Sequence, residues 1–216
     1  MKLLFFEWNS FMNKGIERGL KELEIPYDTF FYQFNDWEKD DAFLEQFQAY
    51  LKAGAYTDVL SVNFSPLISM LCEELGIVYT AWVYDSPLHI RNLESLKNSC
   101  NRIFFFDRGQ AEEHHKNGVN AMHLPLAVDT EVFRINASKR EKEEYRTDIS
   151  LVGKLYQTEY AYFTAPLQGY TKGYLEGIVN AQGKVYGGYL IPELITDELL
   201  AQMNADYAKV ATDGFS

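Results

Sequence analysis

Basic charge is scarce in this sequence, and what there is never gathers. Lysine and arginine number 20 against 31 aspartates and glutamates, a formal net charge of −11 over 216 residues. With no Lys/Arg block, a nucleic acid held through its phosphates would meet repulsion over most of the surface, although a local basic site is not excluded. No run is long enough to span a membrane. The N-terminal MKLLFFEWNS breaks its apolar run at Glu7 and offers no small-residue cleavage site, so it lacks the form of a signal peptide. The two cysteines, Cys72 and Cys100, are far apart among apolar residues, which fits buried thiols better than a disulfide or a metal site. We therefore expect a cytoplasmic protein.

Several catalytic signatures are missing as well. The turn EWNSFMNKG lacks G-x-G-x-x-G, which argues against a dinucleotide bound in the usual way. There is no G-x-S-x-G elbow and no catalytic cysteine motif. His114 and His115 are adjacent and would point in different directions on a helix. His89 and His123 have no partner at ligand spacing, so no metal site is expected.

What is present is core. Hydrophobic residues make up 47% and aromatics 15%, enough for one domain with an appendage or for two small domains. Continuous apolar runs at 2–6, 27–34, 57–64, 77–85, 101–107 and 121–126 read as strands. Between them Met12, Ile16, Leu20 and Leu23 keep helical spacing, as do Phe43, Phe47, Tyr50 and Leu51, and Leu67, Leu71, Cys72 and Leu75. Gly54 and Gly76 end the latter two helices. Leu93 and Leu96 suggest a short helix, and Gly109 to Asn117 another. Strands that alternate with helices and are apolar throughout predict an α/β fold, a doubly wound, Rossmann-like parallel sheet covered on both faces. It occupies residues 1–136. Over 137–216 we expect a polar linker, a further strand in DISLVGKLY (148–156), and a mostly helical extension with Pro166 and Pro192 near helix starts.

Such sheets bind ligands beyond the carboxyl ends of their strands. There the sequence places Glu7, Trp8, Asn9 and Ser10, then Asn63, Phe64 and Ser65, then Tyr84, Asp85 and Ser86, and finally Asp107 and Arg108. Ser65-Pro66 and Ser86-Pro87 have the form of an N-cap followed by proline at the first helical position. Asp107 and Gln110 have capping-box spacing. Capping is the reading preferred for Ser65, Ser86 and Asp107. The amide of Asn63 has a turn to close. Asp85 stands one residue before the expected cap, so helix formation does not require it, and both readings stay open for it.

LPLAVDTEVF (124–133) resembles the segment by which the chain leaves the first domain of GT-B-type glycosyltransferases, with Pro125, Ala127, Val128, Asp129 and Phe133 matching. LLFFEWNSF, VNFSP, WVYDSP, FFFDR, LPLAVDTEVF and DISLVGKLY, in this order, resemble the CgeB-type spore-maturation family of glycosyltransferase-like proteins, from Lys2 to about Leu200. The resemblance implies the N-terminal half of a GT-B-type fold and transfer of a sugar from a nucleotide-sugar donor to an acceptor held by residues 1–136. Members of the family continue into a second Rossmann-like domain with most of the donor site. The chain is thus expected to be a fragment, or a stand-alone relative without donor chemistry. By this resemblance Asp85 is the candidate base if the reaction inverts, and Arg108 faces an anionic acceptor or phosphate. Asn9, Ser10, Asn63, Ser65 and Asp107 are candidate acceptor contacts, and Gly153 and Lys154 would meet the donor's phosphates. No cofactor beyond the donor substrate and no metal is implied.

Two further readings complete the expectation. A non-catalytic flavodoxin-like binding or regulatory module is the alternative; a phosphoacceptor receiver or flavin module fits badly, for lack of clustered acids after the first strand and of a Ser/Thr/Gly-rich phosphate loop. Gly169, Gly173 and Gly177 recur every four residues in LQGYTKGYLEGIVNAQ. Three interior glycines cost roughly 3 kcal/mol of helix propensity relative to alanine. We expect a helix whose smooth stripe admits a second backbone, from this chain, a missing domain or another subunit in a homo-oligomer.

Overall fold

Apolar runs that cannot satisfy their own backbone groups pair with each other, and here all of them pair in one direction. The computed structural model describes residues 2–34, 36–133, 139–153 and 157–212. It divides into two units, Met1–Asn136 and Ala137–Ser216. In the first, β1 (Leu3–Glu7), β2 (Tyr27–Phe31), β3 (Asp58–Val62), β4 (Val78–Val83), β5 (Asn101–Phe105) and β6 (Ala121–His123) form one parallel sheet of order β2-β1-β3-β4-β5-β6. The crossovers are α1 (Asn13–Glu22), α2 (Asp41–Gly54), α3 (Pro66–Leu75), a 3₁₀ helix (Leu93–Lys97) and α4 (Arg108–Lys116). This is the α/β Rossmann-like fold, with a helical C-terminal part.

Helices flank both faces, unequally. Right-handed crossovers put α1 on one face, because only β1→β2 runs toward that edge, and all later crossovers on the other. Burial follows the same division with period two. Val59, Tyr79, Ala81, Val83, Ile103 and Phe105 are fully buried, whereas Leu60, Thr80, Trp82, Arg102 and Phe104 on the α1 face are half-buried. The crowded face holds the aromatic core. The Phe6 ring lies 5.5, 5.7 and 5.6 Å from those of Phe34, Phe43 and Phe47. Its buried polar groups are satisfied: Asn101 Nδ2 donates to Ser95 O at 2.9 Å and Leu96 O at 3.1 Å, and its Oδ1 accepts from Ser69 at 2.8 Å. That bond set seats the 3₁₀ helix under β5. Cys72 and Cys100 are buried free thiols, and burial first of all pushes both upward, Cys100 to about 12. Thiols held protonated in this way are poor nucleophiles.

The second unit contains α5 (Lys139–Glu144), α6 (Gln157–Thr164), α7 (Gly169–Gln182), α8 (Ile191–Leu194) and α9 (Asp197–Thr212). The strand expected at 148–156 is absent over its described part, 148–153, where Ile149, Leu151 and Val152 are almost fully exposed. A parallel strand needs a neighbour for its N–H and C=O groups, and no other strand stands among the described residues of this unit. Pro192 begins only the four-residue α8; the long helix starts at Asp197, after Thr196 Oγ accepts from Leu199 N at 3.2 Å. The glycine stripe is helical, yet a Cβ at Gly173 or Gly177 would meet no atom within 4 Å. No backbone of the described chain packs there, which corrects the expected close seam within it. Among the described residues, no helix is long and apolar enough to cross a membrane.

Candidate functional site

The carboxyl edge of the sheet is built by side chains that spend themselves on neighbouring loops. Between β1 and β3 the crossovers leave for opposite faces, which opens a crevice in folds of this kind. Here Trp8 fills it, its indole Nε1 donating to Val62 O at 2.8 Å. The indole runs parallel to the Tyr84 ring at 6.4 Å and meets Trp37 edge-on at 5.0 Å. Phe11 lies 5.1 Å from Tyr84 and is 78% exposed. An aromatic surface thus stands among the polar groups that the sequence places at this edge, with Phe11 added to Trp8 and Tyr84.

Asn63 ties this edge together. It is buried and adopts φ +60°, a conformation that Asn tolerates better than most side-chain-bearing residues. Its Oδ1 accepts from Tyr84 N at 3.1 Å, and its Nδ2 donates to Asp85 Oδ2 at 2.7 Å. Asp85 is exposed, and its second oxygen, Oδ1, takes no hydrogen bond from the described residues.

The loop carrying Asp85 is held on all sides. Gln110 of α4 donates to Asp85 O at 3.3 Å and accepts from Leu88 N at 2.9 Å. The Glu38 carboxylate accepts from Arg91 N and Asn92 N at 2.5 and 2.8 Å. Arg91 donates to both oxygens of Asp36, and that guanidinium, above all, holds the Asp36 carboxyl below its ordinary range. Residues 84–92 are therefore pinned by hydrogen bonds from the loops after β2 and β3 and from α4. No helix begins at Pro87: Asn92 caps the 3₁₀ helix, so the expected role of Ser86 as an N-cap is corrected.

The remaining candidates divide sharply. Ser65 is fully buried, caps α3 through Ile68 N at 3.4 Å, and donates its own N–H to Tyr79 Oη. It has no surface for a ligand. Asp107 caps α4 through Gln110 N at 2.8 Å, whereas Gln110 serves the Asp85 loop instead of returning a capping-box bond. Arg108 is exposed, and its side chain makes no hydrogen bond or ion pair among the described residues. Asn9 is exposed and only its N–H is engaged, by Gln33 at 3.2 Å. Ser10 Oγ accepts from Met12 N at 3.1 Å, and the pKa of the neighbouring Tyr84 hydroxyl is raised by burial first and by Asp85 next. Gly153 is exposed on the irregular segment of the second unit, far in sequence from this edge; Lys154 lies outside the described residues.

The exit segment also has a physical role. Asp129 accepts from Glu131 N at 3.0 Å and Val132 N at 3.3 Å and pairs with Arg18 of α1 at 3.4 Å. It folds the segment back and fastens it to α1. The sequence marked none of Phe11, Asp36 and Glu38 as builders of this edge, and Gln110 only as a capping-box partner of Asp107. Only the aromatic density of EWNSF and the acid pair in NDWEKDD hinted at them.

Among the described residues no three His, Cys, Asp or Glu side chains gather as metal ligands. Compared with models of known protein families and with curated proteins, the chain matches none.

Proposed function

We propose that residues 1–136 are the acceptor side of a glycosyltransferase of the GT-B type, similar to the CgeB-type proteins, and that Asp85 is its base. The observation that carries this reading is the presentation of Asp85. One carboxylate oxygen is anchored at 2.7 Å and the other faces solvent, on a loop braced from several elements. A general base needs this combination of fixed position and one open oxygen. In the inverting form of the reaction, Oδ1 takes the acceptor hydroxyl's proton. The acceptor oxygen bonds to the anomeric carbon while the bond to the nucleoside diphosphate breaks, and the diphosphate leaves with that electron pair. Arg108 is the cation available to an anionic group of the acceptor or to the leaving phosphate.

Asp85→Asn tests the reading in an enzyme that includes the donor-side domain the resemblance implies, with released nucleoside diphosphate as the signal and pooled glycans as acceptor. Turnover should fall by at least about a hundredfold. Stability should fall only by about 0.5–1.5 kcal/mol, one hydrogen bond's worth, because the Asn63 contact weakens. Unchanged turnover would remove Asp85 from the mechanism. One observation favours the alternative, a non-catalytic binding module: the described part of the second unit has no strand and glycine turn for a donor diphosphate. Calorimetry with a panel of nucleotide sugars separates the two. The 216-residue chain should bind them weakly and without sugar preference, and tight selective binding would place a donor site within it.

A further inference from the structure

We propose that the ring surface of Phe11, Tyr84 and Trp8 beside Asp85 is a subsite for a neutral pyranoside, and that this sugar is the acceptor. The inference rests on reading this edge as the acceptor side and adds what that acceptor is. Phe11 sits against Tyr84 yet is 78% exposed, so its cost in water serves no internal packing need. Tyr84 is kept in place by Trp8 alongside and by Asn63 at its backbone. A rigid aromatic face next to free polar groups is the make-up of a small-molecule site.

Charge selects the class of ligand. Arg108 and Gln110 open the same helix, and Gln110 bonds the backbone of Asp85 itself at 3.3 Å. Arg108, exposed after β5 at the same edge, has no side-chain partner among the described residues, so the edge offers an open cation as well as an open carboxylate. An anion seated on the rings would meet the open oxygen of Asp85. A neutral ring of alternating C–H and O–H groups suits both: its axial C–H bonds face the negative ring faces, and its hydroxyls donate to Asp85 and accept from Arg108 and the Asn9 amide. The acceptor hydroxyl is then the one that reaches Asp85.

The test uses the 216-residue chain with the methyl glycosides of glucose, galactose and N-acetylglucosamine, followed through the Trp8 indole N–H resonance. At least one glycoside should shift it saturably, with a dissociation constant on the order of millimolar, as for a small ligand on an open site. Phe11→Ala should weaken that binding about tenfold, the loss of one aromatic contact. Its melting temperature should not move, because Phe11 is exposed. Tetramethylammonium and inorganic phosphate should not compete. Absence of any saturable shift, equal affinity in Phe11→Ala, or binding of tetramethylammonium in place of glycosides would each overturn the proposal. Glycoside binding without transfer, even with a donor-binding second domain supplied, leaves the subsite standing and sinks only the transferase reading. Transfer to a non-sugar acceptor, with no glycoside bound, does the reverse.

Discussion

The two units use the same kinds of residue to opposite ends. In the first, aromatic side chains converge: five phenylalanines, Phe6, Phe30, Phe34, Phe43 and Phe47, touch one another at centroid distances between 4.6 and 6.3 Å. In the second they meet at most in pairs at the surface, and Tyr145, Tyr162, Tyr170, Tyr186 and Tyr189 are all exposed. A parallel sheet gives every strand residue a fixed neighbour and a face to fill. Short helices without a sheet bury single residues, here Leu167, Ile178 and Leu199. What holds α7 to α9 is polar instead. Asp206 is buried and takes the N–H of Gln168 at 3.3 Å, capping α7 from another helix. The first unit is thus specified by packing and the second by a few hydrogen bonds.

The largest test of that contrast is Phe43→Ala. Removing a buried phenylalanine typically costs about 3–5 kcal/mol. Denaturant unfolding followed at Trp8 and Trp37 should lose that much, while helix protection of α7 in hydrogen exchange stays unchanged. If α7 loosens equally, the units do not unfold independently and the contrast fails. Acid is the next probe. Burial raises the Asp206 carboxyl, but the N–H of Gln168, the Thr171 hydroxyl, Lys209 and Gln202 together outweigh it, so its pKa in the folded chain lies below the ordinary value. A lowered folded pKa means stability that is fully present above the unfolded value and lost as pH falls through the folded one. Amide exchange in α7 should therefore accelerate below about pH 4, the ordinary carboxylate range, and Asp206→Ala should abolish that acid dependence. An acid dependence that survives the substitution would assign it to another group.

How far these features could be read beforehand varied with the range of the interaction. Strands were legible because each is apolar from end to end; after the first, their carboxyl ends ran too far, as at 27–34, since apolar residues such as Phe34 continue into the core after leaving the sheet. Ser65-Pro66 and Ser86-Pro87 look alike in sequence, and only the first caps a helix. The difference lies in Asn63, Gln110 and Glu38, which capture the backbone after β4 from distant positions, and no local pattern announces them. Asp85 was visible as an edge residue, but its anchored and open oxygens were not. Phe11 carries no local signal of its role, because its contact with Tyr84 joins residues 73 positions apart in the chain.

A smaller and sharper comparison replaces one glycine in each unit by alanine. Gly54 closes α2, and a Cβ there would run into the Tyr56 ring, which is itself tied to Asp28 at 2.8 Å and therefore cannot swing away freely. Overpacking of this kind costs about 1–3 kcal/mol, more than the gain of about 1 kcal/mol from helix propensity, so Gly54→Ala should destabilise the first unit. At Gly173 the space is open and φ is ordinary, so Gly173→Ala should stabilise α7 by about 1 kcal/mol. Gly173→Leu should do nearly as well, because nothing stands in the way of the longer side chain. Gly169 is different: its φ of +47° makes any side chain strained, and Gly169→Ala should not help. Exchange protection of α7 and denaturant midpoints give the signs directly. A destabilised Gly173→Leu would show that another backbone does use the stripe. Sedimentation at high concentration would then identify it as a second copy, if wild type self-associates and the leucine variant does not.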